Sequence, residues 1–327
     1  MKLELAINMY LMESRINQTQ GNVTLKEGRL SYFNKWCMGQ GFVDLGDILK
    51  PVVTGFIVHL QGLKAQEINP NRPTQNRPLA PLTIKGYFRI IRAFFAWCKR
   101  EGLLAGAEDP TTNVPRLRIP KRIIQTFTPQ QLATMLDSCD FGKWIGHRDY
   151  ALLLVLIDTG IRVSELCGLT IDAVNEQYIT VYGKNSKERE VGIGPTASLA
   201  LHKYIHMYRP QQFGVEQHVF LTAQAQRMTR NTVEQLLKRL ALRTGITGVR
   251  LSAHTFRHTF ARSWLENGGE IFKLSRVLGH TDIQTTEVYL RDFQSRDARI
   301  EHILYSPVEK LKLGKSQKKG SSPKSSK

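Results

Sequence analysis

The sequence predicts a mainly helical chain, of α+β class, with a small antiparallel β-sheet in its second half. Three observations carry this. Apolar and aromatic residues recur at helical spacing through most of residues 1–108. Residues 150–157 form an apolar run suited to a buried helix. Finally, Tyr178-Ile179-Thr180-Val181-Tyr182 and residues 188–193 flank Gly183-Lys184-Asn185-Ser186-Lys187, a strand–turn–strand pattern that reads as a β-hairpin.

Residues 1–108 are predicted as the first, helical domain. Tyr32, Phe33 and Trp36 make one aromatic cluster, and Tyr87, Ile90, Ile91, Phe94 and Phe95 another; periodic aromatics are ordinarily core. Between them, residues 66–81 are polar and proline-rich and read as a loop without an assigned role. Arg72, Arg77, Lys85, Arg89, Arg92, Lys99 and Arg100 make this half basic. Lys85, Arg89 and Arg92 are neighbours by i+4 and i+3 steps, forming either a solvated face or a phosphate-facing one.

Residues 109–125 are predicted as a linker. They hold three prolines and no helical period, with Arg116, Arg118, Lys121 and Arg122 in a row, a strap that either follows a polyanion or is simply solvated. The second domain, 126–306, opens with Thr128-Pro129-Gln130-Gln131, an N-cap threonine, a first-turn proline and a capping-box glutamine. After the buried run, Asp158-Thr159-Gly160 breaks the helix and Ile161-Arg162-Val163-Ser164-Glu165-Leu166 starts another. A guanidinium beside a buried segment is costly unless paired or used, and Glu165 at i+3 can hold Arg162. Val233, Leu236, Leu237 and Leu240 mark a further helix ending at Thr244-Gly245. Residues 291–305 carry another apolar stripe, and the Lys/Ser/Gly-rich residues 307–327 read as a disordered tail.

Residues 251–290 hold the densest chemistry. His254 and Arg257 lie one helical turn apart, leaving both free to point away from the apolar face of Phe256, Phe260 and Trp264. Asn267-Gly268-Gly269 stops that helix. A second, short one ends at Gly279 with His280 just beyond, and Thr281 reads as the N-cap of a helix carrying Tyr289.

Composition narrows the partners. The chain has 327 residues, room for about two domains, and a net charge of +18. Such a chain repels itself unless it meets a polyanion, which makes nucleic acid the leading partner. No apolar run approaches the ~20 residues of a membrane helix, and the N-terminus lacks a signal peptide's apolar block. Cys37, Cys98, Cys139 and Cys167 are scattered, as suits reduced thiols in a cytoplasm. There is no P-loop or GxGxxG. His254 and His258 have zinc spacing, but no glutamate follows the first histidine and Arg257 would sit beside the metal, so no metal or ATP is expected.

Thr159-Gly160-Ile161-Arg162-Val163-Ser164-Glu165-Leu166, the Gly183/Lys184/Lys187/Arg189 hairpin, His254-x-x-Arg257, His280 and Tyr289 together resemble the tyrosine recombinases, the phage-integrase and Xer-like family. The likeness is close over the second domain and weak over the first. It implies a SAM-like core-binding domain that clamps DNA, and a catalytic domain that cuts and rejoins strands through a 3′-phosphotyrosine. Arg162, Lys184, His254, Arg257, His280 and Tyr289 become the catalytic set, with Glu165 in support and Lys184 ahead of Lys187 as the hairpin lysine. Lys187 joins Lys85, Arg89, Arg92, Arg116, Arg118, Lys121 and Arg122 as DNA contacts. The implied partners are double-stranded DNA at specific sites, a homotetramer on synapsed DNA and accessory DNA-bending proteins. There is little room for a separate arm-binding domain, which favours the two-domain type. A type IB topoisomerase shares the chemistry without pairing sites, and a DNA-binding regulator with a dead site would not need Lys184 or Tyr289.

Overall fold

A computed structural model of the chain describes residues 1–68, 73–104, 108–115, 117, 125–183, 188–210, 217–280 and 282–290, with 288–290 described by backbone alone. The chain divides into two compact units, 1–122 and 123–327.

The first unit is built on α1 (Leu3–Asn17), α2 (Gln20–Gly39), α3 (Lys50–Gly62) and α4 (Pro81–Arg100). The two aromatic clusters are one core. Phe33, Phe56, Phe94 and Phe95 are fully buried, and Phe33 meets Phe56 edge-on at 4.9 Å between ring centroids. Within the expected loop 66–81, the described residues include one strand. β1 (Lys64–Ala65) pairs antiparallel with β2 (Gln75–Pro78), and Leu79 N–H donates to Leu63 O at 2.8 Å. Two of the loop's prolines sit where no donor is missed: Pro78 closes its strand and Pro81 opens α4 at the first turn. Lys85, Arg89 and Arg92 are exposed on α4, while Ile84, Tyr87, Ile91 and Phe94 are buried. Arg116, Arg118, Lys121 and Arg122 lie outside the described residues, as does the 307–327 tail.

The second unit is organised around α6 (Trp144–Thr159), whose Ala151–Leu156 stretch is buried throughout. Before it, α5 (Pro129–Asp137) carries the predicted capping box: Gln131 N–H donates to Thr128 Oγ1 and Thr128 N–H to Gln131 Oε1. Gly160 ends α6 at φ +59°. A Cβ there would also come within 2.5 Å of the Phe260 ring, so both conformation and space require glycine. Next come α7 (Val163–Gly168) and the hairpin, β3 (Tyr178–Tyr182) and β4 (Glu188–Gly192), antiparallel with Val181 opposite Arg189. Then follow α8 (Pro195–Lys203), whose continuation widens to a π turn, and α9 (Arg230–Thr244), ended by Gly245 in the left-handed region.

The last three helices are α10 (Ala253–Glu266), α11 (Ile271–Leu278) and α12 (Gln284–Leu290). The α10 aromatics divide their burial. Phe256 is fully buried in the main core, 4.7 Å from the Phe127 ring, whereas Phe260 and Trp264 pack on a smaller cluster of Ala261, Leu274 and Leu278. Thr281, the expected cap of α12, and residues 291–305 lie outside the described residues. Among those described, no helix is long and apolar enough to cross a membrane.

Candidate active site

The turn at Gly160 delivers Arg162 to the N-cap of α7, and Glu165 sits at its N3 position. Glu165 is 3% exposed and accepts four hydrogen bonds. Its Oε2 takes the Arg162 N–H at 2.8 Å and Arg189 Nη2 at 2.9 Å. Its Oε1 takes Arg162 Nη1 and Arg189 Nη1, both at 2.8 Å. Burial alone would raise the carboxyl's pKa. The Arg189 fork and the Arg162 N–H outweigh it and hold the group below its usual value, so it stays ionised. Arg162, with 38% of its side chain exposed, keeps a face toward solvent.

Three guanidiniums converge on the C-terminus of α11. Arg189 Nε donates to Val277 O at 3.2 Å, Arg257 Nη2 to Leu278 O at 2.6 Å, and Arg162 Nη2 to Gly279 O at 3.0 Å. A helix C-terminus leaves carbonyls without intrahelical partners and concentrates partial negative charge, which suits cations there. Gly279, at φ +63°, turns the chain out of the helix.

Arg257 does not stand free, as its helical spacing had suggested. It is 5% exposed and also donates from Nη1 to Gly160 O at 2.9 Å. The reason is its neighbours: the α6 and α11 termini supply the acceptors that a buried guanidinium requires. Arg257 Nη2 further donates to His280 Nε2 at 2.9 Å. Arginine has no acceptor, so Nε2 must accept, and the neutral ring carries its hydrogen on Nδ1. That nitrogen lies 2.7 Å from the Oγ1 of Thr286, a fully buried residue on α12. Burial, then Arg257, Arg162 and Arg189, push the His280 pKa down to about 4.

His254 is exposed on the first turn of α10, where Ser252 Oγ caps Thr255 N–H. Its protonated form is disfavoured by desolvation and then by Arg257 and Arg230; its exposure limits the first effect. His258 lies edge-on to it at 4.1 Å, with a pKa pushed to about 4 by burial and then by His254. Among the described residues, no group of three or more His, Cys, Asp or Glu is placed to hold a metal.

Arg162, Glu165, Arg257 and His280 are thus brought together. Tyr289 lies on α12, three residues after Thr286. Lys184 and Lys187 fall outside the described residues, between strands that are present.

Residues 125–296 match the phage integrase family. The chain belongs to that family. It is similar to tyrosine recombinase XerC of Chlamydia caviae, with 32% identity over 216 residues, 64% of this chain and 67% of that protein. It is likewise similar to XerD of Pseudomonas aeruginosa, with 34% identity over 210 residues, 63% and 70% of the two chains. In fold it resembles the Tn1549 transposon integrase in complex with transposon right end DNA, at TM-score 0.72 and 17% identity, covering 92% of this chain and 99% of that one. The XerH recombinase bound to palindromic difH substrate follows at TM-score 0.69, 17% identity, and 92% and 84% coverage.

Two residues of this recombinase's site escaped the sequence reading. Arg189 was visible only as the end of the hairpin pattern. The available signal was strand alternation: Val191 points into the core, so Arg189, two residues earlier, shares its face. Thr286 had no comparable signal, because its role exists only once α12 folds back on His280.

Proposed function

We propose that Tyr289 is the nucleophile with which this tyrosine recombinase, a site-specific enzyme, breaks and rejoins DNA strands. Arg162 turns its solvent-facing guanidinium toward the non-bridging oxygens of the scissile phosphate, Arg257 lies buried behind it, and the charge of both compensates what develops in the transition state. The Tyr289 oxygen attacks phosphorus and forms a 3′-phosphotyrosine. The bond to the 5′-oxygen breaks, and Lys184 gives that oxygen its proton. His254, exposed on α10, supplies a hydrogen bond and takes the tyrosine proton, while His280, engaged at both nitrogens by Arg257 and Thr286, holds Arg257 in place. In the reverse step a 5′-hydroxyl attacks the phosphotyrosine, so no ATP or metal is required. Residues 1–108 act as the DNA clamp, with 109–125 as a basic strap. The active unit is a homotetramer on two synapsed duplexes in the cytoplasm, with accessory DNA-bending proteins as further partners.

The observation that carries this reading is the convergence of Arg162, Arg257 and His280 on the turn that leads from α11 into the Tyr289 helix. The test uses the DNA site mapped by footprinting of the full-length protein, prepared with a nick that traps the covalent step. Wild type should carry DNA on Tyr289, seen by mass spectrometry, and release a free 5′-hydroxyl. Tyr289→Phe should bind with the same affinity and salt dependence, since phosphate contacts are kept, and form no adduct. An adduct on Tyr289→Phe, or on another residue in the wild type, overturns the assignment.

A further inference from the structure

Arg189 belongs to none of the proposed catalytic roles, yet its connections are extensive. Its side chain is 16% exposed, rises from β4, and binds two other elements at once. Toward α7 it grips both oxygens of Glu165, at 2.8 and 2.9 Å; toward α11 its Nε reaches Val277 O at 3.2 Å. The same carboxylate holds Arg162 by Nη1 and by its backbone N–H, and the next carbonyls of the same helix end hold Arg257 and Arg162. Arg189 therefore touches both supports of Arg162, the carboxylate below it and the carbonyl row beside it. It also packs under the turn: a Cβ on Gly279 would meet its guanidinium at 3.0 Å.

Electrostatics gives the arrangement a direction. With Arg162 as its sole partner, Glu165 would hold that guanidinium by both oxygens and neutralise the charge meant for the phosphate. With a second, better-buried guanidinium across both oxygens, the carboxylate is already paired, and Arg162 keeps positive charge on its solvent face. A lysine has one point of charge in place of a planar fork and cannot span two carboxylate oxygens and a carbonyl together.

We propose that Arg189 is a positioning residue for DNA cleavage, which aims Arg162 at the scissile phosphate by occupying Glu165 and bracing the end of α11. The proposal rests on the role of Arg162 stated above. Arg189 itself touches no reacting atom.

The test is a double-mutant cycle on single-turnover cleavage of the nicked, footprint-mapped site, with site affinity measured in parallel. Arg189→Gln should slow cleavage by ~10²-fold, the scale of a misplacement of about an ångström, while affinity stays within about threefold. Arg162→Lys, which lacks the fork to be aimed, should be slow by itself, and adding Arg189→Gln should slow it further by less than about threefold. A residue needed merely for structural integrity would cost the same factor in both backgrounds, and that result overturns the proposal, as does full activity of Arg189→Gln. If Arg189→Gln does not fold, Arg189→Lys keeps the charge beside Glu165 and carries the same cycle. Cleavage by Arg162→Lys at the wild-type rate would instead remove the underlying role of Arg162, a distinguishable failure.

Discussion

The two units use arginine differently. In the first, the core is aromatic: Phe33, Phe56, Phe94 and Phe95 are fully buried, and Ser14 and Thr111 are its buried polar residues among those described. Two of its arginines bind side chains, Arg77 with Gln75 and Arg100 with Glu13 and Glu101. In the second, Arg148, Arg162, Arg189, Arg209, Arg227 and Arg257 each donate to a main-chain carbonyl. Part of the +18 charge is therefore internal structure, cross-linking helix ends and loops that apolar packing leaves apart. The second unit is tied together through its cations, and becomes sensitive to anything that alters charge.

The sharpest test of this contrast is Glu165→Ala. It strands two guanidiniums, and breaking a buried pair from one side costs ~3–5 kcal/mol; the lower end is expected because Arg162 reaches water. Phe94→Ala in the first unit should cost a similar ~3–5 kcal/mol through weaker packing and a cavity. The two should differ in salt response: raising salt should change the Glu165→Ala deficit and leave that of Phe94→Ala alone. Denaturant melts read unit by unit through hydrogen exchange check this. Equal salt responses would show that the second unit is held by packing after all.

Acid should separate the units next. His258 and His280 have folded-state pKa values near 4 against 6.5 in the unfolded chain. Between those values the unfolded chain binds more protons, so stability is complete above about pH 6.5 and is lost as pH falls toward 4, by ~3 kcal/mol for a fully buried imidazole and by ~1–2 kcal/mol for each of these half-buried ones. Glu165, whose folded pKa is lowered, adds a loss at the acid end, while Asp149, raised by burial, opposes it. Hydrogen exchange at pH 7 and 5 should show faster opening of α10 to α12 at pH 5, with the core of α2 to α4 unchanged. His258→Gln should flatten the dependence. A pH-independent α10 would mean that the histidines titrate normally.

Much of this was legible in the sequence because it is local. The Thr128 capping box, the buried run in α6, the hairpin and the glycines closing α6, α9 and α11 each follow from a few adjacent residues. The pairing of Arg162 with Glu165 was legible as an i+3 step. What was not legible is what neighbouring elements supply. Arg257 looked free because its acceptors, Gly160 O and Leu278 O, lie 97 and 21 positions away and are backbone, which no residue type advertises. Gln75–Pro78, within the expected loop 66–81, was not legible as a strand because a polar, proline-rich stretch speaks against strands, although a proline at a strand end costs nothing.

The smallest expected effect is on the surface of the first unit, at Lys85, Arg89 and Arg92. All three are exposed on α4. If charge in this unit serves the partner and not the fold, replacing all three by alanine should leave its stability nearly unchanged, within about 0.5 kcal/mol per site. DNA affinity should fall, and the slope of log affinity against log salt should become shallower by about 0.9 for each phosphate no longer neutralised, up to ~2.7. An unaltered slope would assign these residues to a solvated face. A shallower slope together with a drop in stability would mean that the first unit also uses its cations internally, and the contrast between the units would fail. Sequence preference should not move in either case, because phosphate contacts carry position and not base identity.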